Sequence, residues 1–216
     1  CGGATAGARP WTGYTSGASV VKINEDATAT LIHGGTELGQ GIDTVMAQIA
    51  AEVLGLRMED IRIVDEDTDT TLLEAGMYAS RGTVWAGNAV MLAAQDARLQ
   101  LAKVASEMLE VNAEDIDFRD RRVFLRDSPE RGVPLMDVVR RAYYYLGQPV
   151  YGRGSWTAPI IEGQPFAHCW LSQATEVEVD PETGKVKVLK SVVADEMGRV
   201  FNPMQMAGQM EGNCIF

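Results

Sequence analysis

The stretch that most constrains the fold is residues 34–56, GGTELGQGIDTVMAQIAAEVLGL. It reads as a strand end, a glycine-rich turn and an amphipathic helix. Ile42, Val45, Met46, Ile49 and Val53 recur at i, i+3, i+4, i+7 and i+11, one face at the helical period. Asp43 and Thr44 are the expected capping residues. Glycines at 34, 35, 39 and 41 leave the turn without Cβ atoms, so a ligand can reach main chain there. Gln40 sits between two of them and carries amide donors and an acceptor to a helix N-terminus. This suits an anionic, hydrogen-bond-rich ligand such as a phosphorylated cofactor. A structural strand-to-helix turn is the competing reading. No Lys-Ser/Thr follows the glycines and the G-x-G-x-x-G spacing is absent, so neither common phosphate fingerprint applies.

The chain has 216 residues, enough for one large or two small domains. Its net charge of −11 argues against a nucleic-acid or anionic-membrane partner. The one basic cluster, Arg119, Arg121, Arg122 and Arg126, is interleaved with Asp117, Asp120 and Asp127 and reads as a solvated hairpin. Cys1, Cys169 and Cys214 are far apart and form no C-x-x-C, so no iron–sulfur or zinc site is encoded. A cytoplasmic location is expected, with no signal peptide and no apolar run long enough to span a bilayer. The start at Cys1 and the stop within an apolar run suggest a piece of a longer polypeptide.

Along the chain, residues 1–17 are expected to be irregular or an unpaired strand. Residues 18–24 and 28–33 read as a β-hairpin turning at Asn24-Glu25-Asp26, with His33 a structural residue at its end. Residues 61–64 read as a short buried strand. Asp65 to Asp69 form an acidic loop that lacks the spacing of a calcium site. A long helix is expected from Ser80 towards Glu110, with Val90, Ala94, Leu101, Val104 and Met108 as its stripe. Ser80 and Thr83 at its start could be caps or could face an anion. A polar hairpin is expected from 116–118 with 123–125, then a helix over 134–146 with Pro134 at its first position and Tyr143, Tyr144 and Tyr145 at its end. Residues 150–157 read as a strand and 160–165 as a loop. A subdomain boundary is expected near 147–165. The longest hairpin pairs 169–180 with 185–194, Val177 and Val179 facing Val186 and Val188 across Asp180-Pro181-Glu182-Thr183-Gly184. Gly208-Gln209-Met210-Glu211-Gly212 is a second Gly-Gln motif, expected to open a further helix. The fold class is α+β: β-hairpins and mixed sheets packed with amphipathic helices.

Four ordered blocks carry a resemblance: G-T-E-L-G-Q-G with its helix, G-M-Y-A-S-R-G-T, E-V-E-V-D-P-E-T-G-K-V-K-V, and D-E-M-G-R…N-P…G-Q-M-E-G. Together they resemble the molybdopterin-binding subunit of the xanthine dehydrogenase, or molybdenum hydroxylase, family over nearly the whole chain. Gly76-Met77-Tyr78-Ala79-Ser80-Arg81 and the Ala-Glu-Val-Leu-Gly-Leu run lean towards the 4-hydroxybenzoyl-CoA reductase and carbon monoxide dehydrogenase-like branch.

The resemblance implies part of a molybdenum-cofactor-binding domain. It implies hydroxylation of an aromatic, N-heterocyclic or aldehyde carbon, or reductive removal of a hydroxyl, by an oligomer. Molybdenum is carried by molybdopterin, alone or as a cytosine dinucleotide; electrons pass to [2Fe–2S] clusters and FAD on partner domains or subunits. By position, Leu38, Gly39, Gln40 and Gly41 would meet the pterin and its phosphate. Ala79, Ser80, Arg81 and Thr83 would line the dithiolene side, and Gln209 would bond the pterin edge. Two departures stand out: Gly82 replaces a serine of some members, and Arg81 brings a charge where others are apolar. The family's G-E-P-P-like segment with its catalytic glutamate, and its G-G-G-F-G-G segment, are absent from this sequence. No catalytic residue and no protein metal ligand is therefore expected here, and the isolated stretch is expected to be inactive. The alternative is a non-catalytic assembly domain that keeps the fold and has lost the cofactor.

Overall fold

The structure, a computed structural model, describes residues 16–64, 67–74, 76–78, 80–157 and 170–213. The chain divides into two units, Ala8–Pro159 and Cys1–Gly7 with Ile160–Phe216. No helix among the described residues is long and apolar enough to cross a membrane.

The larger unit is built on a four-stranded sheet of β1 (Ser16–Ile23), β2 (Ala29–His33), β3 (Ile61–Ile63) and β7 (Tyr151–Thr157), in the order β3-β2-β1-β7. β1 pairs antiparallel with β2 and β7, and β2 pairs parallel with β3. The expected hairpin forms, and Asn24 closes it by donating to the Thr28 and Thr30 hydroxyls, each at 3.0 Å. Alternation decides its inner face: Ser19, Val21 and Ile23 on β1, with Ala29, Leu31 and His33 on β2, are buried.

Helices α1 (Ile42–Leu54) and α2 (Gly82–Leu109) supply the apolar partner for this sheet. The buried stripe of α1 is Ile42, Met46, Ala50 and Leu54, while Val45, Ile49 and Val53 flank it half-buried. Small residues allow α1 to lie close to α2, so the buried stripe is rotated towards alanine from the expected apolar face.

The tightest contact joins α2 to β7. A Cβ on Gly152 would stand 2.0 Å from the Ala93 carbonyl oxygen and 2.6 Å from the Ala97 nitrogen. One on Gly154 would stand 2.1 Å from the Ala89 oxygen. Strand backbone therefore rests on helix backbone, which only glycine opposite alanine permits. The outer edge of β7 is met by the same helix: Asp96 accepts from the Arg153 N–H at 2.9 Å and Gln100 donates to the Tyr151 carbonyl at 2.8 Å. These side chains one turn apart satisfy an edge that would otherwise be open.

A second sheet, β4 (Ile116–Arg119), β5 (Arg122–Leu125) and β6 (Ser128–Pro134), runs antiparallel in that order. Asp120 and Arg121, with φ of 50° and 60°, make its two-residue turn. The expected hairpin is solvated, with Arg119, Arg121, Arg122 and Arg126 all exposed, but it is also tied to the rest of the unit. The Arg121 N–H donates to the Gly55 carbonyl at 2.9 Å, and its guanidinium binds Asp60, whose side chain is 5 % exposed. Arg98 likewise pairs with Asp117 and donates to the Val53 carbonyl at 2.8 Å. These pairs staple the sheet to the end of α1.

Pro134 ends β6 and is the N-cap of α3 (Leu135–Arg140), so the helix begins one residue later than expected; it widens into a π-turn over Arg141–Tyr145. Tyr143 donates its hydroxyl to the Ile23 carbonyl, whereas Tyr144 and Tyr145 are exposed.

In the other unit, β8 (Trp170–Val179) pairs with β9 (Val186–Glu196), setting Val177 opposite Val188 and Val179 opposite Val186. A register shift beside Glu176 interrupts the alternation. Gly184, at φ 70°, closes the turn as expected. Helix α4 (Pro203–Asn213) starts at Pro203, with the Asn202 side chain accepting from the Gln205 N–H at 3.2 Å. The Gly208-Gln209 motif thus lies within the helix and does not open it.

Two outcomes follow. Gly152→Ala should lower the unfolding free energy by about 1–3 kcal/mol or more, and Gly152→Val should prevent folding. Urea unfolding with an unchanged midpoint would refute the contact. For Asp60, hydrogen bonding from Arg121 outweighs burial and holds the carboxyl below its ordinary value. Its stabilising effect should be complete above the unfolded value of about 3.9 and fade as pH falls through the lower folded one. The thermal gap between wild type and Asp60→Asn should accordingly be wide at pH 7 and close in acid.

Candidate functional site

Between β2 and α1 the chain makes the glycine turn. Gly34 passes so close to the following segment that a Cβ would lie 2.3 Å from the Leu72 carbonyl oxygen. Gly35 donates its N–H to His33 Nδ1 at 3.1 Å. Glu37 then folds back over the turn: one oxygen accepts from the N–H groups of Gly39 at 2.7 Å and Gly41 at 2.9 Å, the other from Asp43 at 3.3 Å. Partial burial works to raise its pKa, but the backbone donors of Gly41, Asp43, Gly39 and Ile42 together win and hold it below the ordinary value. The α1 N-terminus is thus capped by Glu37 from within the loop, not by Asp43 or Thr44. Those two residues lie inside the first turn, while Gly41 occupies the cap position at φ 80°.

Gln40 also serves the loop. Its Oε1 accepts from the Leu38 N–H and its Nε2 donates to the Thr36 carbonyl at 2.9 Å. An amide has two N–H donors and two acceptor lone pairs, so one of each remains. Leu38 is 70 % exposed, and Gly39, at φ 94°, has open space around its Cα.

The start of α2 is the second component. Ser80 adopts φ 54°, unusual for a residue with a side chain, and Arg81 takes the cap position. Neither Ser80 nor Thr83 caps the helix. Arg81 is buried: it donates to Glu74 Oε1 at 2.9 Å and lies 4.8 Å over the Trp85 ring and 5.3 Å over Tyr78. Trp85 in turn meets Trp156 edge-on, with ring centroids 5.6 Å apart.

The fold brings these two components together. A Cβ on Gly82 would come 3.0 Å from the Ile42 side chain, and one on Gly35 would come 3.5 Å from Ala86. Leu38, Gly39, Gln40 and Gly41 therefore share one end of the unit with Ser80, Arg81 and Thr83. Ala79 lies outside the described residues, and Gln209 lies on α4 in the other unit. The donors assembled here suit a group with several polar edges: a spare amide, hydroxyls, an uncapped helix start and glycines without Cβ atoms. Sequence reasoning missed Glu37, while His33, expected to be structural, accepts a bond from the turn it underlies. An acid preceding a Gly-x-Gly step, and a histidine two residues before a glycine, were the available signals.

Comparison with known proteins places the sequence and the fold in one family. The molybdopterin cofactor-binding domain family matches residues 2–216. The nicotine 6-hydroxylase large subunit of Paenarthrobacter nicotinovorans is 33 % identical, over 91 % of this chain and 24 % of its own. The carbon monoxide dehydrogenase large chain of Hydrogenophaga pseudoflava is 31 % identical, over 89 % of this chain and 24 % of its own. Quinoline 2-oxidoreductase from Pseudomonas putida 86 superposes with a TM-score of 0.85 at 28 % identity, covering 92 % of this chain and 25 % of that one. The chain spans about a quarter of these relatives' length. With four ordered sequence blocks, a glycine cradle at paired helix starts and a match across its length, the chain belongs to the molybdopterin cofactor-binding domain family of the molybdenum hydroxylases.

Proposed function

We propose that the 36–41 loop and the start of α2 hold molybdopterin in an oxidoreductase that acts on an aromatic, N-heterocyclic or aldehyde carbon. The observation that carries this reading is the meeting of the two helix starts across Gly35, Ile42 and Gly82. When bound, the group supplies molybdenum redox chemistry at the substrate carbon.

This chain's residues bind and orient. Gln40 offers its remaining N–H and lone pair to a polar edge, held in direction by its bonds to Leu38 and Thr36. Ser80 and the first-turn N–H groups of α2 face an anionic or carbonyl group; Thr83 adds a hydroxyl one turn on. Gln209, on α4 of the other unit, is assigned to the cofactor by the family resemblance alone. A polar edge left without a partner would cost about 1–3 kcal/mol, so a neutral donor set holds the cofactor without adding net charge. The nitrogen heterocycles in the names of two relatives, nicotine and quinoline, favour an N-heterocyclic substrate. Relatives described as a large subunit or large chain favour a multi-subunit assembly. [2Fe–2S] and FAD on partner domains or subunits would carry the electrons away, in the cytoplasm.

The internal bonds of Gln40 give the non-catalytic reading some footing, because a scaffold too could use that amide to hold its loop. Molybdenum and released pterin per polypeptide, measured on the natively purified protein, separate the two. Near-stoichiometric amounts, reduced at least about tenfold by Gln40→Ala with Gln209→Ala, support the cofactor site. An intact wild-type protein without either component leaves the scaffold.

A further inference from the structure

His33 is a buried residue at the end of β2, 2 % exposed, directly beneath the glycine turn. Its ring touches both sides of that turn. Nδ1 accepts the Gly35 N–H at 3.1 Å, and Nε2 lies 3.3 Å from Asp43 Oδ1 in the first turn of α1. A nitrogen that accepts an N–H carries no proton, so the ring proton sits on Nε2, on the side of the Asp43 carboxylate, at ion-pair distance and outside hydrogen-bond geometry. Gly35 rests against the ring: a Cβ there would lie 3.2 Å from Nδ1. Asp43 in turn gives its N–H to Glu37, which binds Gly39 and Gly41. One polar chain thus runs from His33 through Asp43 to Glu37, spanning the loop that presents Leu38 and Gln40.

We propose that His33, in its neutral Nε2–H form, is the positioning residue of the cofactor loop. The Nδ1 bond to Gly35 fixes where the loop leaves β2 and, by using Nδ1 as the acceptor, leaves the proton on Nε2 beside Asp43. His33 reaches no ligand itself; it acts through Gly35 and Asp43. The assignment rests on the cofactor reading above and adds to it a residue whose effect is on retention.

Two substitutions divide the ring's functions. In His33→Asn, the side-chain oxygen falls near the place of Nδ1 and can still accept from Gly35. In His33→Gln, the side-chain nitrogen falls near the place of Nε2 and keeps only the donor to Asp43. Release of pterin and molybdenum from the natively purified protein is followed by dilution, alongside hydrogen exchange of a peptide covering residues 34–41. The Asn variant should stay within about twofold of wild type in both readouts, and the Gln variant should be about tenfold faster in both. Thermal midpoints should fall together in the two variants, since each loses the same ring from the core. Equal release and equal exchange in Asn and Gln would overturn the proposal, because a packing role alone treats them alike. Absence of pterin from the wild-type protein would strike the cofactor reading instead. The loop-exchange comparison then still upholds or overturns the clamp.

Discussion

The close approach of β7 to α2 fixes most of what lies above it. With Gly152 and Gly154 against the backbone at Ala89, Ala93 and Ala97, the helix cannot slide or roll without striking the strand. Asp96 and Gln100 set its position along the strand by bonding Arg153 and Tyr151. Where α2 lies determines where it begins, and its beginning brings Gly82 to Ile42. Gly17 belongs to the same constraint, since a Cβ there would stand 2.8 Å from the Trp85 carbonyl oxygen. The candidate site is thus an end effect of a contact made several turns away.

Electrostatics at that end are divided between the two helices. The positive pole of α1 meets Glu37, a carboxylate supplied by the loop, with three backbone donors within hydrogen-bonding distance. This restrains a glycine-rich turn whose backbone has more conformational freedom to lose than ordinary residues. Among the described residues no side chain caps α2, whose start is instead marked by Arg81. The α1 start thus holds the loop's shape, while the α2 start carries no such internal carboxylate cap among the described residues.

The elements legible in the sequence were those set by local period. Val21 and Ile23, Val177 and Val179, and the face around Ile42 and Met46 announced their strands and helix because burial follows side-chain alternation directly. The glycine turn and the Ser80 region were recognisable as one family's motifs, and the fold puts them at one end. What stayed hidden was settled by long-range partners. Arg121 reads as a surface charge until Asp60, distant in sequence, is found opposite it. Ser128-Pro129-Glu130-Arg131-Gly132 has little strand propensity, yet β5 recruits it as β6. Gly152 and Gly154 look like defects in a strand because their purpose lies on the helix behind them. Glu37 was overlooked as a cap because it precedes the helix by a whole loop, beyond the usual capping window.

Arg81 shows how the same logic revises a residue's meaning. A cation at a helix N-terminus opposes the dipole, and in sequence it stood as a departure aimed at the ligand. In the fold its guanidinium is buried against Glu74, with both side chains under 10 % exposed, and is stacked over Trp85 and Tyr78. Burying either charge alone would be strongly unfavourable, whereas together they are nearly neutral and tie the 74–81 segment across its own turn. The pair therefore braces Ser80 in its left-handed conformation, where the backbone would relax if nothing held its flanks. The charge is directed inward, against Glu74, Trp85 and Tyr78.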